Sequence, residues 1–597
     1  MTGSARRMRD VLWLAGMVAA FAGGATAAAG KPAELAYRNG VVYTADAADT
    51  RAQAVAVSGG RIVYVGDDAG LAPLIGPDTR VVDLQGRMVM PGLIDGHLHP
   101  LEGGAVLLKC SLEYERLTVA AMQARIQACL DKTRSSEPDG WLEVVSWFQE
   151  AMLPAGVVTD RSVLDGLKTT RPIVVISSFG HTALVNTRAL ALAHIDASTP
   201  DPIGGRIAHD ASGVPTGLLE DAAYGAVTRQ LPAPTAADDL RSARAALDAL
   251  RRQGVTSFLD ASTQESDLAA FAAVERDGGL TARAHFAMLL TPDQGTRPEA
   301  AVAAISRLAR RYGRPGRDPA PQVTVRNVKL FLDGVITAPA CTGAMLQPYF
   351  VPGESGAPWH PGNNRGPDVY FPAATLARVL SDLAGAGFDP HLHADGDRAV
   401  HEALDGIEAM RKSHPNKDIR PAIAHDEIVD PADYARYQRL NAIPVLSMQW
   451  EKPAPDTVDG ARDYLGPVRY PRIEPAGLLH AAGARIAFGS DWPVDALDEW
   501  FALKVGVTRT NAPEAAAQYP GRLGEDPGLS RETALRAATI DAAYELHEDQ
   551  VTGSLEVGKL ADLIVLDRNF FQIPAEQIAS IKVVQTVVGG RIVYESK

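Results

Sequence analysis

Residues 92–100 read Gly92-Leu93-Ile94-Asp95-Gly96-His97-Leu98-His99-Pro100, an apolar run with two histidines spaced two apart. On a β-strand, residues i and i+2 point to one side. His97 and His99 therefore present both imidazoles to the same face, and imidazole is a good ligand for Zn2+ and related ions.

Downstream, apolar strand-like segments recur at 255–260, 282–289, 325–332, 389–394, 421–424, 443–448 and 484–488, which with 90–97 makes eight. Ala/Leu-rich helical stretches such as 236–253 and 373–386 separate several of them. Strand and helix in alternation predict an α/β chain folded as a (β/α)8 TIM-like barrel over 91–545. The spacing is uneven once: a large insertion, about 100–240, follows the first strand. It is expected to hang over the C-terminal face, where such barrels place their active sites.

The two ends of the chain share a style. Gly59-Gly60-Arg61-Ile62-Val63-Tyr64 is echoed by Gly589-Gly590-Arg591-Ile592-Val593-Tyr594, each beside other short strand-like segments. Either half alone would leave an unpaired sheet edge and too little core. A small β-sandwich domain built from both termini, 30–90 and 546–597, is the expected arrangement.

Arg6, Arg7 and Arg9 precede an apolar run over 11–21, and small residues follow through Ala29. That order is the signature of a secretory signal peptide. A spanning helix needs roughly 20 apolar residues, so cleavage after about residue 29 is expected, with no stable membrane span afterwards and a periplasmic or secreted location. Losing three Arg and one Asp there would move the net charge from −14 to −16. So acidic a surface repels phosphate backbones and argues against nucleic acid as a partner. A small-molecule substrate is the expected partner, and a homodimer is compatible with the sequence. Of three cysteines, Cys110 and Cys129 form a candidate disulfide, with independent buried thiols as the other reading, and Cys341 stays single.

Of the five predicted strand ends from the fourth to the eighth, four carry Lys329, His393, His425 and Asp491; only the seventh of the eight, near Gln449-Trp450, has no obvious ligand in that set. Charged groups are rarely buried unless paired or metal-bound, so core packing explains this set poorly. No His-Glu-x-x-His, Gly-x-Ser-x-Gly or strand-linked Gly-x-Gly-x-x-Gly is present, which disfavours zincin proteases, serine hydrolases and dinucleotide enzymes.

More specific wording lies elsewhere: Gly180-His181-Thr182-Ala183-Leu184-Val185-Asn186, Pro215-Thr216-Gly217-Leu218-Leu219, and Gly553-Ser554-Leu555-Glu556-Val557-Gly558-Lys559. With these the chain resembles the amidohydrolase superfamily, in the branch called amidohydrolase family 3 that includes enzymes like N-substituted formamide deformylase. The resemblance implies one or two divalent ions, with zinc the expected metal. His97, His99 and Asp491 would hold the more buried ion and His393 and His425 the more exposed one, bridged by a carbamylated Lys329. An unmodified Lys329 paired to Asp333 or Asp491, with a single ion, is the other reading. Asp491 is the implied proton acceptor of catalysis. His181 is assigned to the substrate carbonyl or an oxyanion. His391, Trp450 and Trp492 are the candidates for lining the substrate pocket, His391 equally as a support behind the ligands, and Asp397 reads as a helix N-cap.

The activity so implied is hydrolysis of a C–N bond in an amide, formamide or N-acyl compound. The same site would serve a lactone, a carbamate or a cyclic imide, since fold and metal do not choose the leaving group. A non-catalytic periplasmic binding or regulatory protein on the same barrel is the reading from another class.

Overall fold

The computed structural model describes residues 31–135, 139–149, 152–154, 156–178, 182–202, 205–221, 223–314, 319–338 and 340–596. The signal-like stretch 1–29 and His181 lie outside the described residues.

Eight parallel strands form the central sheet: β1 (Leu93–Leu98), β2 (Val255–Thr263), β3 (Arg283–Leu289), β4 (Val323–Phe331), β5 (Asp389–Ala394), β6 (Ala422–His425), β7 (Ile443–Leu446) and β8 (Ala487–Phe488). Each pairs with its sequence neighbour, in the order β8-β7-β6-β5-β4-β3-β2-β1, so the sheet is a nearly closed barrel whose two edges are β8 and β1. Apolar side chains outside the barrel pack on the helices. Phe258 of β2, Phe286 of β3 and Phe271 on the helix Glu265–Arg276 place their ring centroids 5.5 to 6.2 Å apart, and burying such a side chain contributes about 1.5–3 kcal/mol. The helix Ala236–Gln253 shows why the alternation is so regular. A reciprocal cap between Thr235 and Asp238 starts it, and Gly254, at φ 92°, ends it in the left-handed conformation that turns the chain into β2.

The first predicted strand, 90–97, is divided between two sheets. Met88–Pro91 pairs with Val41–Tyr43 and Leu563–Leu566 in a six-stranded sheet, and the barrel strand begins only at Leu93. Both halves are buried, so one continuous apolar run carries no mark of the handover. That six-stranded sheet takes three strands from each end of the chain. A four-stranded sheet (Leu35–Arg38, Ala54–Ser58, Arg61–Gly66, Arg80–Asp83) shares a core with it, in which Tyr37 and Val55 meet Val89 and Leu563.

Between β1 and β2 lies a six-stranded mixed sheet with its own core around Trp147, Ile126 and Val175. Cys110 and Cys129 are disulfide-bonded, tying its edge strand Cys110–Ser111 to the helix Val119–Thr133, and Cys341 is a buried free thiol. The Tyr114 hydroxyl donates to the Pro493 carbonyl oxygen at 2.8 Å, which fastens this inserted unit to the loop after β8. Among the described residues no helix is long and apolar enough to cross a membrane.

Candidate active site

The barrel's open seam is where the site begins. β8 and β1 do not pair as strands, but the loop leaving β8 is hydrogen-bonded onto β1. The Asp491 N–H donates to the His97 carbonyl at 2.7 Å, and the His99 N–H donates to the Trp492 carbonyl at 2.8 Å. Ser490 donates through its N–H and its hydroxyl to the Asp95 carboxylate, at 3.0 and 2.5 Å. Gly489 permits this approach, since a Cβ there would stand 2.4 Å from Cβ of His97.

This stitching brings Asp491 against both histidines of the His97-Leu98-His99 motif. Oδ1 of Asp491 is 3.3 Å from Nε2 of His97 and 3.1 Å from Nε2 of His99, yet it has no hydrogen-bond partner of good geometry among the described residues. Two ligands of one tetrahedral zinc, each at 2.0–2.2 Å, stand about 3.4 Å apart. Oδ1 thus stands from each imidazole nitrogen at the separation of two ligands on one cation, and the donor types suit zinc; the compact trio that includes Asp491 is completed by His97 and His425 rather than by His99. The His425 ligand atom lies within 4.8 Å of those of His97 and Asp491, and a second group, His393, Asp395 and His425, is equally compact. His425 belongs to both groups.

Lys329, from β4, is 1% exposed, with Nζ 3.4 Å from Nε2 of His97. His393, from β5, directs Nε2 to the Gly334 carbonyl oxygen at 3.0 Å, so its other ring nitrogen is the one available to a cation. Asp491 (φ 52°) and His425 (φ 82°) both adopt left-handed backbone conformations, which cost on the order of 1–3 kcal/mol each and persist only where surrounding structure imposes them. Here the His97 carbonyl fixes Asp491, and the Asp426 N–H, donating to the Ala394 carbonyl at 3.1 Å, fixes the turn at His425.

Burial governs the electrostatics. It pushes the Lys329 ammonium down to about 8 against the pull of Asp491 and Asp395, and the His393 imidazole down to about 4. Burial also works to raise Asp491, but contact with His99 and the nearby His425 and Lys329 bring it below the usual carboxylate range. His99 is the mirror case: burial would lower it, and the Asp491 carboxylate lifts it. Burial raises Asp333 to about 7, although three backbone N–H groups (Ala344, Asp395 and Gly396) donate to its carboxylate.

The six ligand candidates His97, His99, Lys329, His393, His425 and Asp491 therefore gather at the C-terminal end of the barrel. Trp450 stands beside them, its ring stacked on His425 at 5.5 Å and its indole N–H donating to Asp495 at 3.1 Å. Two residues expected to line the pocket sit deeper. Trp492 is 2% exposed and packs against Gly103, and His391 is fully buried, behind His97. Asp397 is the first residue of the helix Asp397–Ser413, with Gly396 as its N-cap, and its carboxylate instead accepts from the Leu346 N–H at 2.7 Å.

Three buried acids escaped the sequence reading. Asp95, two residues before His97 on the same strand, had a signal in its spacing. Asp395, 3.5 Å from Nε2 of His393, had one in its place two residues after a candidate ligand. Glu545, 3.3 Å from Nδ1 of His391, had none, being far away in the chain.

A profile described as "Amidohydrolase family" matches residues 80–594. LONG AFTER FAR-RED 3 of Arabidopsis thaliana is 29% identical over 580 residues, covering 95% of this chain and 93% of that protein. N-substituted formamide deformylase of Arthrobacter pascens is 25% identical over 577 residues, covering 94% and 98%. Among solved structures, a metal-dependent hydrolase from Pyrococcus horikoshii OT3 superposes with a TM-score of 0.66 at 22% identity, over 91% of this chain and 99% of that one. The match across most of its length, together with a barrel that ends in clustered histidines, a lysine and an aspartate, means that this chain belongs to the amidohydrolase family.

Proposed function

We propose that the protein is a metal-dependent hydrolase that cleaves the C–N bond of an amide, formamide or other N-acyl compound. The observation that carries the reading is the Asp491 carboxylate, held 3.1 and 3.3 Å from two imidazole nitrogens without a hydrogen bond to either. His97, His99 and Asp491 would hold one cation, and His393 and His425 a second. A bound divalent ion supplies a water of lowered pKa and polarises the substrate carbonyl.

The chain's own groups do the rest. Asp491 accepts the proton lost by the attacking water and passes it to the leaving nitrogen. Its carboxylate is held below the usual range, so it is ionised and ready to accept. Lys329, which burial makes a weaker base, would add as the free amine to CO2 and release one proton, and the resulting carbamate would supply anionic oxygens to the metal site. The stacked Trp450 ring walls one side of His425, and His181 is assigned to the substrate carbonyl. Similarity to a deformylase by name supports the N-acyl class. The Cys110–Cys129 disulfide supports an oxidising, extracytoplasmic location.

The test is metal analysis combined with turnover of a panel of N-formyl and N-acyl amines, lactones, carbamates and cyclic imides. Zinc-dependent release of amine from the first group supports the proposal. Turnover confined to the other groups would reassign the leaving group, and tightly held zinc with no turnover would favour a binding protein.

A further inference from the structure

His97 has a second set of neighbours, on the opposite edge of its ring from Asp491. Nδ1 of His97 is 2.8 Å from Nε2 of His391, and Nδ1 of His391 is 3.3 Å from Oε1 of Glu545. All three side chains are 2% exposed or less. Glu545 closes the short helix Ile540–Glu545, in the segment that follows the last barrel strand. Its carboxyl group occupies the space a side chain at position 96 would need, since a Cβ on Gly96 would stand 2.3 Å from Oε2. Gly96 therefore opens the barrel wall where this acid meets β1.

The arrangement needs a reason, because a buried carboxyl costs free energy unless something compensates it. Neither oxygen of Glu545 has a well-formed hydrogen bond among the described residues, and the donor within reach is the His391 ring. The chemistry of His97 supplies the reason. An imidazole that offers the Nε2 lone pair to a cation carries its hydrogen on Nδ1, and that hydrogen needs an acceptor. Nε2 of His391 can accept only if the His391 hydrogen is on Nδ1, which then needs an acceptor of its own. Glu545 is that acceptor.

We infer that His391 and Glu545 are positioning residues that fix His97 with Nδ1–H donating to His391 and Nε2 directed at Asp491 and Lys329. This rests on the metal-holding role proposed above for His97. It extends the site through the barrel wall to a helix beyond the last strand, and it assigns purpose to a fully buried histidine.

The experiment is chelator competition for zinc on the full chain, wild type against Glu545→Met, Glu545→Gln, His391→Phe and the Glu545→Met/His391→Phe double variant. Loss of a hydrogen-bonded support behind a ligand typically weakens metal binding about 10–100-fold. We expect that loss in Glu545→Met, partial recovery in Glu545→Gln, which keeps an acceptor oxygen, and no further loss in the double variant, because both changes break one chain of hydrogen bonds. The visible spectrum of the Co2+-loaded protein should shift in the same variants. Wild-type zinc affinity in a folded Glu545→Met protein overturns the inference. Should His391→Phe fail to fold, the comparison of Glu545→Met with Glu545→Gln decides alone. A wild-type protein that holds no zinc defeats the metal reading and this inference with it, whereas zinc held equally by all variants defeats this inference only.

Discussion

The backbone N–H of Asp491 donates to the carbonyl oxygen of His97 across the one gap in the barrel's ladder, at 2.7 Å. This bond joins the first and last strands at the level of the site, so barrel closure and ligand placement are one event. It also holds Asp491 at φ 52°, where the carboxylate reaches both His97 and His99.

Asp491→Asn separates the chemistry from the scaffold. Asparagine tolerates the left-handed region as well as aspartate does, so the fold and the bond to His97 should survive. Removing the carboxylate assigned above as proton acceptor should lower kcat about 10²–10⁴-fold, with lower zinc content, while the thermal midpoint of the metal-free protein changes little. Measured kcat, zinc content and calorimetry check this together. A metal-free protein that melts far below wild type would instead mark Asp491 as structural.

Lys329 gives a pH prediction with a definite sign. In the metal-free protein burial pushes it down to about 8, against 10.5 when exposed. Between those values the unfolded chain binds more protons, so wild-type stability rises with pH through that window. Below pH 8 the full penalty of the buried ammonium remains. Metal-free Lys329→Met should therefore be more stable than metal-free wild type at pH 7, by roughly 3 kcal/mol. The gap should shrink from pH 8 upward and close near 10.5. Denaturant titrations of both proteins across pH 7–10.5 test it, and a gap independent of pH would contradict it.

The disulfide acts on the inserted unit. Cys110 and Cys129 are 19 residues apart, and closing a loop of that size stabilises by about 3 kcal/mol. Replacing both with serine should make the segment between β1 and β2 cleavable by protease at temperatures where the wild type resists. Zinc content should stay unchanged, because the only ligand candidate in that segment, His99, is its first residue, lies outside the disulfide loop and is held by its N–H bond to the Trp492 carbonyl. Limited proteolysis with mass mapping, beside metal analysis, reads both effects.

How much of this was legible in the sequence depended on locality. The eight strands were readable because each is a short apolar run set off by helices whose caps, such as Thr235 and Gly254, are local features. His97, His99, Lys329, His393, His425 and Asp491 stood out because charge at the end of an apolar strand has no packing reason to be there. The division at Gly92 was hidden, since Met88–Pro91 and β1 are equally buried and differ only in which strands they pair with. Glu545 was hidden for a related reason: an acid on a short helix late in the chain looks solvent-facing until the barrel wall opens at Gly96. His391 stood on the same strand face as His393, and alternation alone does not tell a side chain that keeps some exposure at the barrel mouth from one lodged behind His97.

The central claim is that His97, His99 and Asp491 share a cation, and anomalous diffraction at the zinc absorption edge tests it most directly. The account predicts a peak about 2.0–2.2 Å from Nε2 of His97, Nε2 of His99 and a carboxylate oxygen of Asp491. A zinc-loaded, active crystal with no peak within bonding distance of those three atoms would contradict it.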